Sequence, residues 1–369
     1  MKVALVHDYL NQFGGGERVL EALAELYPHA PIYTALFDRE KIAAGSSLLA
    51  SREIITPNYG RSPLVYSFQK YFTFLYPLAF EHFDLSQFDL VISSSANFAK
   101  GVVTTPAQIH ISYIHTPPRF LYGLKTEESR RDKWYWRLAL APLDSWLRVW
   151  DYRAGQKPNI LVANSQNTAR RIKKFYHRDS TVIYPPVAVP PLRAIALSPC
   201  SDGYFLVVSR LSEYKHVDII IETANELGLP LKVAGTGKEA ERITQLAGPT
   251  VEMLGFVSDD HLARLYRGCQ AVVCAVEDED FGIVPVEAMA WGKPVIALRS
   301  GGFKETVVEG KTGAFFDEPT VKSLSPVWRD FDVTHHDPQA CRNRALNFSR
   351  ERFSEEFRRL VDNARATRG

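Results

Sequence analysis

A strand, an acidic loop, a helix and a second strand follow one another late in the chain, and this succession constrains the fold most. Residues 271–276 are apolar without alternation, as in a strand buried on both faces. After four acidic residues, Pro285 suits the first turn of a helix that residues 287–291 carry, because its missing N–H would be unpaired there anyway. Gly292 ends the helix and residues 295–297 form the next strand, so the pattern predicts a buried parallel sheet.

Two carboxylates are expected at the carboxyl end of the first of these strands, where open α/β sheets bind ligands. Glu279 lies in the loop, and Glu287 lies just inside the helix, eight positions later. The N–H groups at a helix start can hold an anion, while a carboxylate can accept hydrogen bonds from hydroxyls. This combination suits a sugar nucleotide, although a solvated acidic loop before an ordinary helix would show the same two residues.

The stretch resembles the E-x7-E motif of retaining glycosyltransferases of family 4, which have the GT-B fold. Glu279 and Glu287 fall on its two glutamates, and the neighbouring residues match in the same order. The resemblance implies that Glu287 binds the ribose hydroxyls of a donor nucleotide. It also implies that Glu279, with the backbone N–H groups of Phe281 and Gly282, grips the donor sugar, and that Ile283 belongs to the same donor-binding segment.

Composition excludes several other classes of function. The 369 residues allow two domains of ordinary size, and a net charge of +2 gives no reason to expect a nucleic-acid partner. The four cysteines have no metal-ligand spacing, and free buried thiols are expected at Cys269 and Cys274. Asp278 and Asp280 could suggest the metal motif of GT-A enzymes, but that motif has no reason to precede this helix. We therefore expect no metal and no cofactor besides the nucleotide-sugar co-substrate.

A glycine-rich turn follows the first predicted strand and could let backbone N–H groups approach a phosphate. It lacks the G-x-G-x-x-G pattern, so NAD is not expected, and a turn without a ligand is the alternative. The resemblance implies that Gly15 and Gly16 face the donor diphosphate. It also puts His7, Asp8 and Tyr9 on the acceptor or sugar side.

His115 is predicted at the carboxyl end of the strand over residues 108–115, before two prolines that fix the backbone. A histidine there is either structural or functional. Family 4 enzymes have a histidine near the transferred sugar at this position, which would hydrogen-bond the sugar or polarise the scissile bond rather than bind zinc. The following Pro-Arg-x-x-Tyr sequence, which includes Arg119, resembles that of mannosyltransferases and favours GDP-mannose over a UDP-sugar as donor.

Two aromatic segments bear on the acceptor. Residues 63–83 contain eight aromatic residues and few charges, which indicates either helices packed on the sheet or an exposed surface for a lipid-linked acceptor. Residues 130–153 mix basic residues with four of the six tryptophans, which suits an anionic membrane surface, although a half-buried helix would look similar. Pro142 is expected to interrupt this segment. We therefore expect a glycan or lipid-linked acceptor and peripheral contact with an anionic membrane.

The second half of the chain supplies cations where a diphosphate would leave. Arg210 and Lys215 lie between a strand and the next helix, and two cations there can meet both phosphates. A surface basic pair is the alternative. The resemblance adds the turn at Gly235 and the backbone near Phe256 and Val257 to the donor site.

The proline-rich residues 185–199 read as a linker between two repeats of alternating strands and helices. We therefore predict an α/β protein of GT-B type, with two Rossmann-like, doubly wound domains facing a central cleft. The first domain spans residues 1–187 and the second residues 200–345. A charged amphipathic helix is predicted over residues 345–366, and the terminal segment 346–369 is expected to pack back on the first domain.

These features predict a retaining, metal-independent hexosyltransferase of surface polysaccharide or lipopolysaccharide synthesis. His115, Glu279, Arg210 and Lys215 are its predicted catalytic residues. A UDP-hexose-dependent enzyme of the same family is the first alternative, and a GT-B sugar-nucleotide epimerase or a non-catalytic binding protein are others. Because the chain begins directly with a strand and has no long apolar run, we expect a cytoplasmic location, at the inner face of the membrane.

Overall fold

The structure is a computed structural model that describes residues 1–57, 75–126, 133–192 and 203–367. The chain divides into two compact units. The first unit comprises Met1–Leu124, Ser129–Pro186 and Phe353–Gly369, and the second comprises Lys125–Glu128 and Val187–Arg352. Each unit contains one parallel sheet, which confirms the predicted α/β class.

The sheet of the first unit has seven parallel strands in the order β3-β2-β1-β4-β5-β6-β7. They are β1 Val3–His7, β2 Ile32–Thr34, β3 Ile54–Ile55, β4 Leu90–Ser95, β5 Ile109–Ile114, β6 Ile160–Ala163 and β7 Thr181–Val182.

The sheet of the second unit has six parallel strands in the order β10-β9-β8-β11-β12-β13. They are β8 Tyr204–Val208, β9 Leu231–Ala234, β10 Val251–Gly255, β11 Cys269–Cys274, β12 Val295–Leu298 and β13 Gly313–Phe316.

The helices of the first unit are α1 Gly15–Leu26, α2 Arg39–Gly45, α3 Ser47–Ala50, α4 Tyr76–Glu81, α5 Trp134–Gln156, α6 Gln166–Tyr176 and the C-terminal helix α14 Arg350–Ala366, which begins in the second unit. The helices of the second unit are α7 Val217–Leu227, α8 Ala240–Leu246, α9 Asp259–Gly268, α10 Ile283–Ala290, α11 Phe303–Thr306, α12 Val321–Arg329 and α13 Pro338–Leu346.

Strand β1 shows why the sequences of these strands are apolar at consecutive positions. Leu5 packs into a core that includes residues of α1 and α14, whereas its neighbours Ala4 and Val6 pack into a second core that includes Phe80 and other residues of α4 and α5. Successive side chains of a strand point to opposite faces, so a sheet covered on both faces needs apolar residues at every position. The polar residues that follow such strands are therefore at the sheet edge.

Helix α5 is continuous through Pro142, so the predicted interruption there is wrong. Pro142 and the nearby Leu138 are exposed, so the carbonyl group that proline leaves without an N–H partner can bond with water. On the other side of α5, Leu147 and Trp150 are buried in the core of the first unit. This packing holds the helix together where local propensity disfavours it.

The predicted single helix over residues 345–366 is also wrong, because α13 ends at Leu346 and α14 begins at Arg350. Between them, the carbonyl group of Phe348 accepts a hydrogen bond of 2.9 Å from the N–H group of Val187, and Ser349 forms a β-bridge with the same residue. This pairing takes the backbone out of helical geometry. Helix α14 then buries apolar residues in the core of the first unit, among them Phe357.

Parts of three predicted segments lie outside the described residues. They are residues 63–74 of the first aromatic segment, residues 130–132 of the basic segment and residues 193–199 of the linker. Among the helices that the structure describes, none combines the length and apolar character needed to cross a bilayer.

Candidate functional site

An ion pair joins two loops at the carboxyl edge of the second sheet. Lys215, in the turn between β8 and α7, has its Nζ atom 2.9 Å from Oε2 of Glu279, which follows β11. The two side chains are only 14% and 23% exposed. Burial alone would lower the pKa of Lys215, but the charge and hydrogen bond of Glu279, together with Tyr214, outweigh it and raise that pKa, so the ammonium stays charged. Two residues that were predicted separately are therefore in direct contact.

Arg210 brings a second cation to the same edge. It follows β8 by two residues and its side chain is exposed. Its charge acts on the ammonium group of Lys215 in the direction that lowers the pKa, which is the effect of a nearby cation. Arg210 and Lys215 are thus two cations at this edge that could contact an anion, beside an acidic loop that also carries Glu277, Asp278 and Asp280.

Glu287 projects from α10, and its Oε2 atom accepts a hydrogen bond of 2.8 Å from the hydroxyl group of Tyr266. Burial is the main cause that raises the pKa of Tyr266 well above its usual value, and the charge of Glu287 adds to it. The tyrosine therefore remains a hydrogen-bond donor that orients the carboxylate. Sequence reasoning missed Tyr266, because no local signal connects α9 to α10.

The acidic loop that carries Glu279 is fastened to the loop after β12. The N–H group of Asp278 donates to Oγ of Ser300 at 2.8 Å, and the N–H group of Gly302 donates to the carbonyl group of Glu279 at 2.8 Å. Gly301 has a φ of +52°, and a Cβ atom there would lie 2.2 Å from the carbonyl oxygen of Glu279. The sequence Ser300-Gly301-Gly302 is therefore required for the position of Glu279.

The residues that start α10 have different surroundings. Gly282 precedes the helix with a φ of +93°, and a Cβ atom on it would lie 2.6 Å from the ring of Phe303. Ile283 is the first helical residue and is partly buried. The ring of Phe281 is buried against Phe348, with ring centroids 5.4 Å apart. Only the backbone of Phe281 could therefore meet a ligand.

The turn at Gly235 brings neighbouring loops into contact. The N–H group of Gly235 donates to the carbonyl group of Gly255 at 2.8 Å, and a Cβ atom on Gly235 would lie 1.8 Å from the carbonyl oxygen of Ser209. The glycine thus allows the loops after β8, β9 and β10 to lie close together. Phe256, the next residue after β10, is 84% exposed, and Val257 is partly buried.

A second polar cluster lies at the carboxyl edge of the first sheet. Its Glu17 is in α1, its His7 ends β1, its Ser94 is in β4, and its His115 follows β5. His7 Nε2 lies 3.7 Å from Glu17 Oε1, His7 Nδ1 lies 3.1 Å from Ser94 Oγ, and Ser94 Oγ lies 2.8 Å from His115 Nε2. Sequence reasoning singled out only the two histidines, since the strand order that brings in Ser94 was not known.

The two predicted phosphate-binding glycines are in the first turn of α1 rather than in the loop before it. Gly15 is the first helical residue, and the N–H group of Gly14 donates to Oε2 of Glu17 at 2.9 Å. A Cβ atom on Gly16 would lie 3.6 Å from Nε2 of His115. The helix start therefore lies directly beside the polar cluster of the first unit.

Asp8 has a structural role. Its buried carboxylate accepts four backbone hydrogen bonds of 2.6 to 2.7 Å from residues 96–99, which holds the turn after β4. Tyr9 is partly buried and packs edge-on against Tyr76, with ring centroids 5.0 Å apart. Arg119 is partly exposed four residues after His115. Within the described parts of the chain, no group of three or more His, Cys, Asp or Glu side chains could hold a metal ion.

Two family models match consecutive parts of the chain. Residues 13–189 match the model described as Glycosyltransferase Family 4, and residues 190–331 match the model described as Glycosyl transferases group 1. Together they span residues 13–331, which include the whole second sheet and all strands of the first sheet except β1.

Curated relatives align over parts of their lengths. The chain is 29% identical over 288 residues to the human alpha-1,3/1,6-mannosyltransferase ALG2, which covers 68% of this chain and 66% of the relative. It is 30% identical over 190 residues to a D-inositol 3-phosphate glycosyltransferase of Geodermatophilus obscurus, which covers 42% of each chain. The chain thus spans less than two thirds of the length of the curated relatives that it matches.

Solved structures resemble the chain over its whole length. The Anabaena protein Alr3699/HepE in complex with UDP has a TM-score of 0.71 at 19% identity, over 98% of this chain and 100% of that one. A sucrose-phosphate synthase from Thermosynechococcus elongatus has a TM-score of 0.74 at 16% identity, over 100% of both chains. At these identities the likeness shows the fold.

Replacing Gly301 tests the attachment of the acidic loop. Gly301→Ala adds a left-handed strain of about 1–2 kcal/mol and a clash with the Glu279 carbonyl group, so we expect a total loss of about 3 kcal/mol in unfolding free energy. Gly310→Ala is the matched control, because its φ is +71° and nothing lies within 4 Å of the added atom. Denaturant unfolding measures both, and equal losses would contradict the proposed attachment.

The histidine at the first sheet edge has a testable pH dependence. Burial, and then the charge of His7, lower the pKa of His115 to about 4. Because the unfolded chain takes up this proton near pH 6.5, the contribution of His115 to stability is lost as the pH falls from about 6.5 to 4. We expect proton NMR to show titration near pH 4, and we expect His115→Gln to lose less stability over that range. Titration near pH 6.5 would contradict this.

Proposed function

Because the chain belongs to glycosyltransferase family 4 and has the GT-B fold, we propose that it transfers a hexose from a nucleotide sugar to a glycan or lipid-linked acceptor. The resemblance inferred from the E-x7-E motif is confirmed at the level of the family. The observation that carries the proposal is the contact between Lys215 and Glu279, with Arg210 at the same sheet edge.

Lys215 and Arg210 bind the diphosphate in this proposal. As the sugar leaves, negative charge develops on the diphosphate, and cations fixed beforehand stabilise it without having to reorganise. Binding of the diphosphate gives Lys215 a second anionic partner besides Glu279. The Glu279 carboxylate can then accept hydrogen bonds from sugar hydroxyls, since its two oxygens together have about four acceptor positions.

Glu287 binds the ribose hydroxyls. The hydrogen bond from Tyr266 engages Oε2 at 2.8 Å and fixes the direction of the carboxylate. An ionised carboxylate can accept further hydrogen bonds beside this one. We also assign backbone groups of Gly235, Phe256 and Val257 to nucleotide binding, since these residues follow β9 and β10 of the same sheet.

The first unit contributes the sugar side of the reaction. His115 contacts the donor sugar, and the start of α1 at Gly15 and Gly16 faces the diphosphate, as anions favour the N–H groups of a helix start. His7, Tyr9 and Arg119 lie near the acceptor in this proposal. Asp8 acts indirectly, by holding the turn after β4.

GDP-mannose is the favoured donor. The match to alpha-1,3/1,6-mannosyltransferases and the sequence after His115 support mannose. A UDP-hexose is the second candidate, since related folds have been solved with UDP and UDP-glucose. We further propose that transfer retains the anomeric configuration and needs no metal, with Lys215 and Arg210 supplying the charge that a metal would bring.

The central role of Lys215 is tested by Lys215→Met in a transfer assay with GDP-mannose or UDP-glucose and a panel of lipid-linked oligosaccharides. Loss of a preorganised charge that meets the leaving group should lower kcat by roughly a hundredfold or more. Lys232→Met is the matched control, because it removes a more exposed ion pair with Glu252 in the same unit. Equal activity of the two variants would contradict the role of Lys215, and turnover of the donor without transfer would favour an epimerase.

Retention is tested by the anomeric configuration of the first product. Proton NMR of a reaction stopped at low conversion should show an α-linked sugar from an α-linked donor. No covalent intermediate between sugar and enzyme is needed. The acceptor hydroxyl attacks the same face of the donor sugar that the leaving phosphate occupies, and that phosphate assists the attack. A β-linked first product would contradict the proposal.

Helix α5 supports a peripheral contact with an anionic membrane. Its exposed apolar side chains are Trp134, Tyr135, Trp136, Leu138, Trp146, Val149 and Tyr152. Its three arginines are also exposed, whereas its two acidic residues, Asp144 and Asp151, are buried. The outer surface of the helix therefore combines aromatic rings with positive charge, as interfacial helices do.

Vesicle sedimentation tests this contact. The wild-type chain should bind vesicles that contain phosphatidylglycerol, and binding should weaken with salt because surface charges are screened. We expect the double variant Trp134→Ser and Trp146→Ser to bind roughly tenfold more weakly. Leu346→Ser removes a side chain of the second unit that is 45% exposed and serves as the control. Equal binding of all three proteins would contradict the contact.

A further inference from the structure

The polar cluster of the first unit leads from a carboxylate to His115 through one close contact of 3.7 Å, between Glu17 and His7, and two hydrogen bonds, from His7 to Ser94 and from Ser94 to His115. Glu17, His7 and Ser94 are 6%, 4% and 0% exposed, so water does not compete for their polar groups. His7 and Ser94 are directly paired in the register of β1 and β4. The strand pairing therefore fixes the distance between His7 and Ser94.

Glu17 sets the direction in which the hydrogen bonds of this cluster are donated. Burial alone would raise the pKa of Glu17, but hydrogen bonding to His7 and to backbone N–H groups outweighs it and lowers the pKa. An ionised carboxylate is only an acceptor. Its Oε2 accepts the N–H group of Gly14 at 2.9 Å, and its Oε1 faces Nε2 of His7. At 3.7 Å this carboxylate oxygen is beyond hydrogen-bond distance of Nε2, but its negative charge favours the His7 tautomer that carries the proton on that nitrogen.

The proton positions then follow one by one. When His7 is neutral and protonated at Nε2, its Nδ1 can only accept, so the Ser94 hydroxyl donates to it. A serine has a single hydroxyl proton, so the contact of 2.8 Å between Ser94 Oγ and His115 Nε2 requires His115 as the donor. Neutral His115 is then unprotonated at Nδ1. Among the described residues, Nδ1 has no hydrogen-bond partner, and the ring is only partly buried.

We propose that Glu17, His7 and Ser94 are positioning residues that hold His115 in its Nε2–H tautomer, so that Nδ1 accepts a hydrogen bond from a hydroxyl group of the donor sugar. This rests on the proposed function, in which His115 faces the sugar. Phosphate and glycosidic oxygens are acceptors, and an unprotonated nitrogen cannot donate to them. His115 therefore recognises a sugar hydroxyl and does not polarise the scissile bond.

Glu17→Gln should reverse the direction of every hydrogen bond between residue 17 and His115. The N–H group of Gly14 needs an acceptor, so the amide oxygen of Gln takes the place of Oε2 and the amide NH2 group faces His7. His7 would then be protonated at Nδ1 and donate to Ser94, and Ser94 would donate to Nε2 of His115. His115 would become the Nδ1–H tautomer. Glu25→Gln, at an exposed position of the same helix, is the control and should change nothing.

The tautomer is measured by long-range proton–nitrogen NMR on the full chain with 15N-labelled histidine. The spectra are recorded at pH 8, where a histidine with an ordinary pKa is neutral, and His115 is identified by its missing signal in His115→Gln. We expect protonated Nε2 in the wild type and in Glu25→Gln, and protonated Nδ1 in Glu17→Gln. Protonated Nδ1 in the wild type, or an unchanged tautomer in a folded Glu17→Gln, would overturn the proposal.

Ser94→Ala provides an independent test if Glu17→Gln does not fold. Without the hydroxyl group, nothing imposes one tautomer on His115, and we expect averaged nitrogen shifts. A single Nε2–H tautomer in folded Ser94→Ala would overturn the proposal as well. In the transfer assay, Glu17→Gln should lower kcat/KM about tenfold relative to Glu25→Gln, which corresponds to about 1.4 kcal/mol. The free protein reports the tautomer without substrate, so failure of transfer with every donor would reject the proposed function alone.

Discussion

The ion pair between Lys215 and Glu279 is the interaction on which the proposed donor site of the second unit depends. It joins the loop after β8 to the loop after β11, and both side chains are largely withdrawn from water. A buried charge needs a partner, so each residue constrains the other. The glycines at 301 and 302 make the pair possible, because they let the acidic loop lie directly on the loop after β12.

The first unit also brings polar side chains together at its own sheet edge, through the close contact between Glu17 and His7 and two hydrogen bonds of Ser94. The ends of β1, β4 and β5 are neighbours, and each supplies one member of the chain that leads to His115. A carboxylate at one end sets the proton position at the other. In both units, parallel strands carry the apolar core, and we place the chemistry at the carboxyl ends of those strands.

Sequence patterns located the strands well, because a strand buried on both faces is apolar at every position. They therefore also located His115, which directly follows β5, and Glu279, which lies in the loop after β11. The partners Tyr266 and Ser94 could not be found, because they depend on the order of strands and on contacts between helices. Pro142 misled the prediction because packing of the rest of α5 outweighs its local cost.

We propose that the second unit holds a nucleoside diphosphate through the residues around Glu279 and Glu287. The most direct measurement is calorimetric titration of GDP and UDP into the wild-type chain, into Glu287→Ala and into Glu252→Ala, an exposed glutamate of the same unit. We predict that one nucleotide binds, that Glu287→Ala weakens it about tenfold, and that Glu252→Ala does not. Binding of neither nucleotide at millimolar concentration, or equal affinity of all three proteins, would contradict the account.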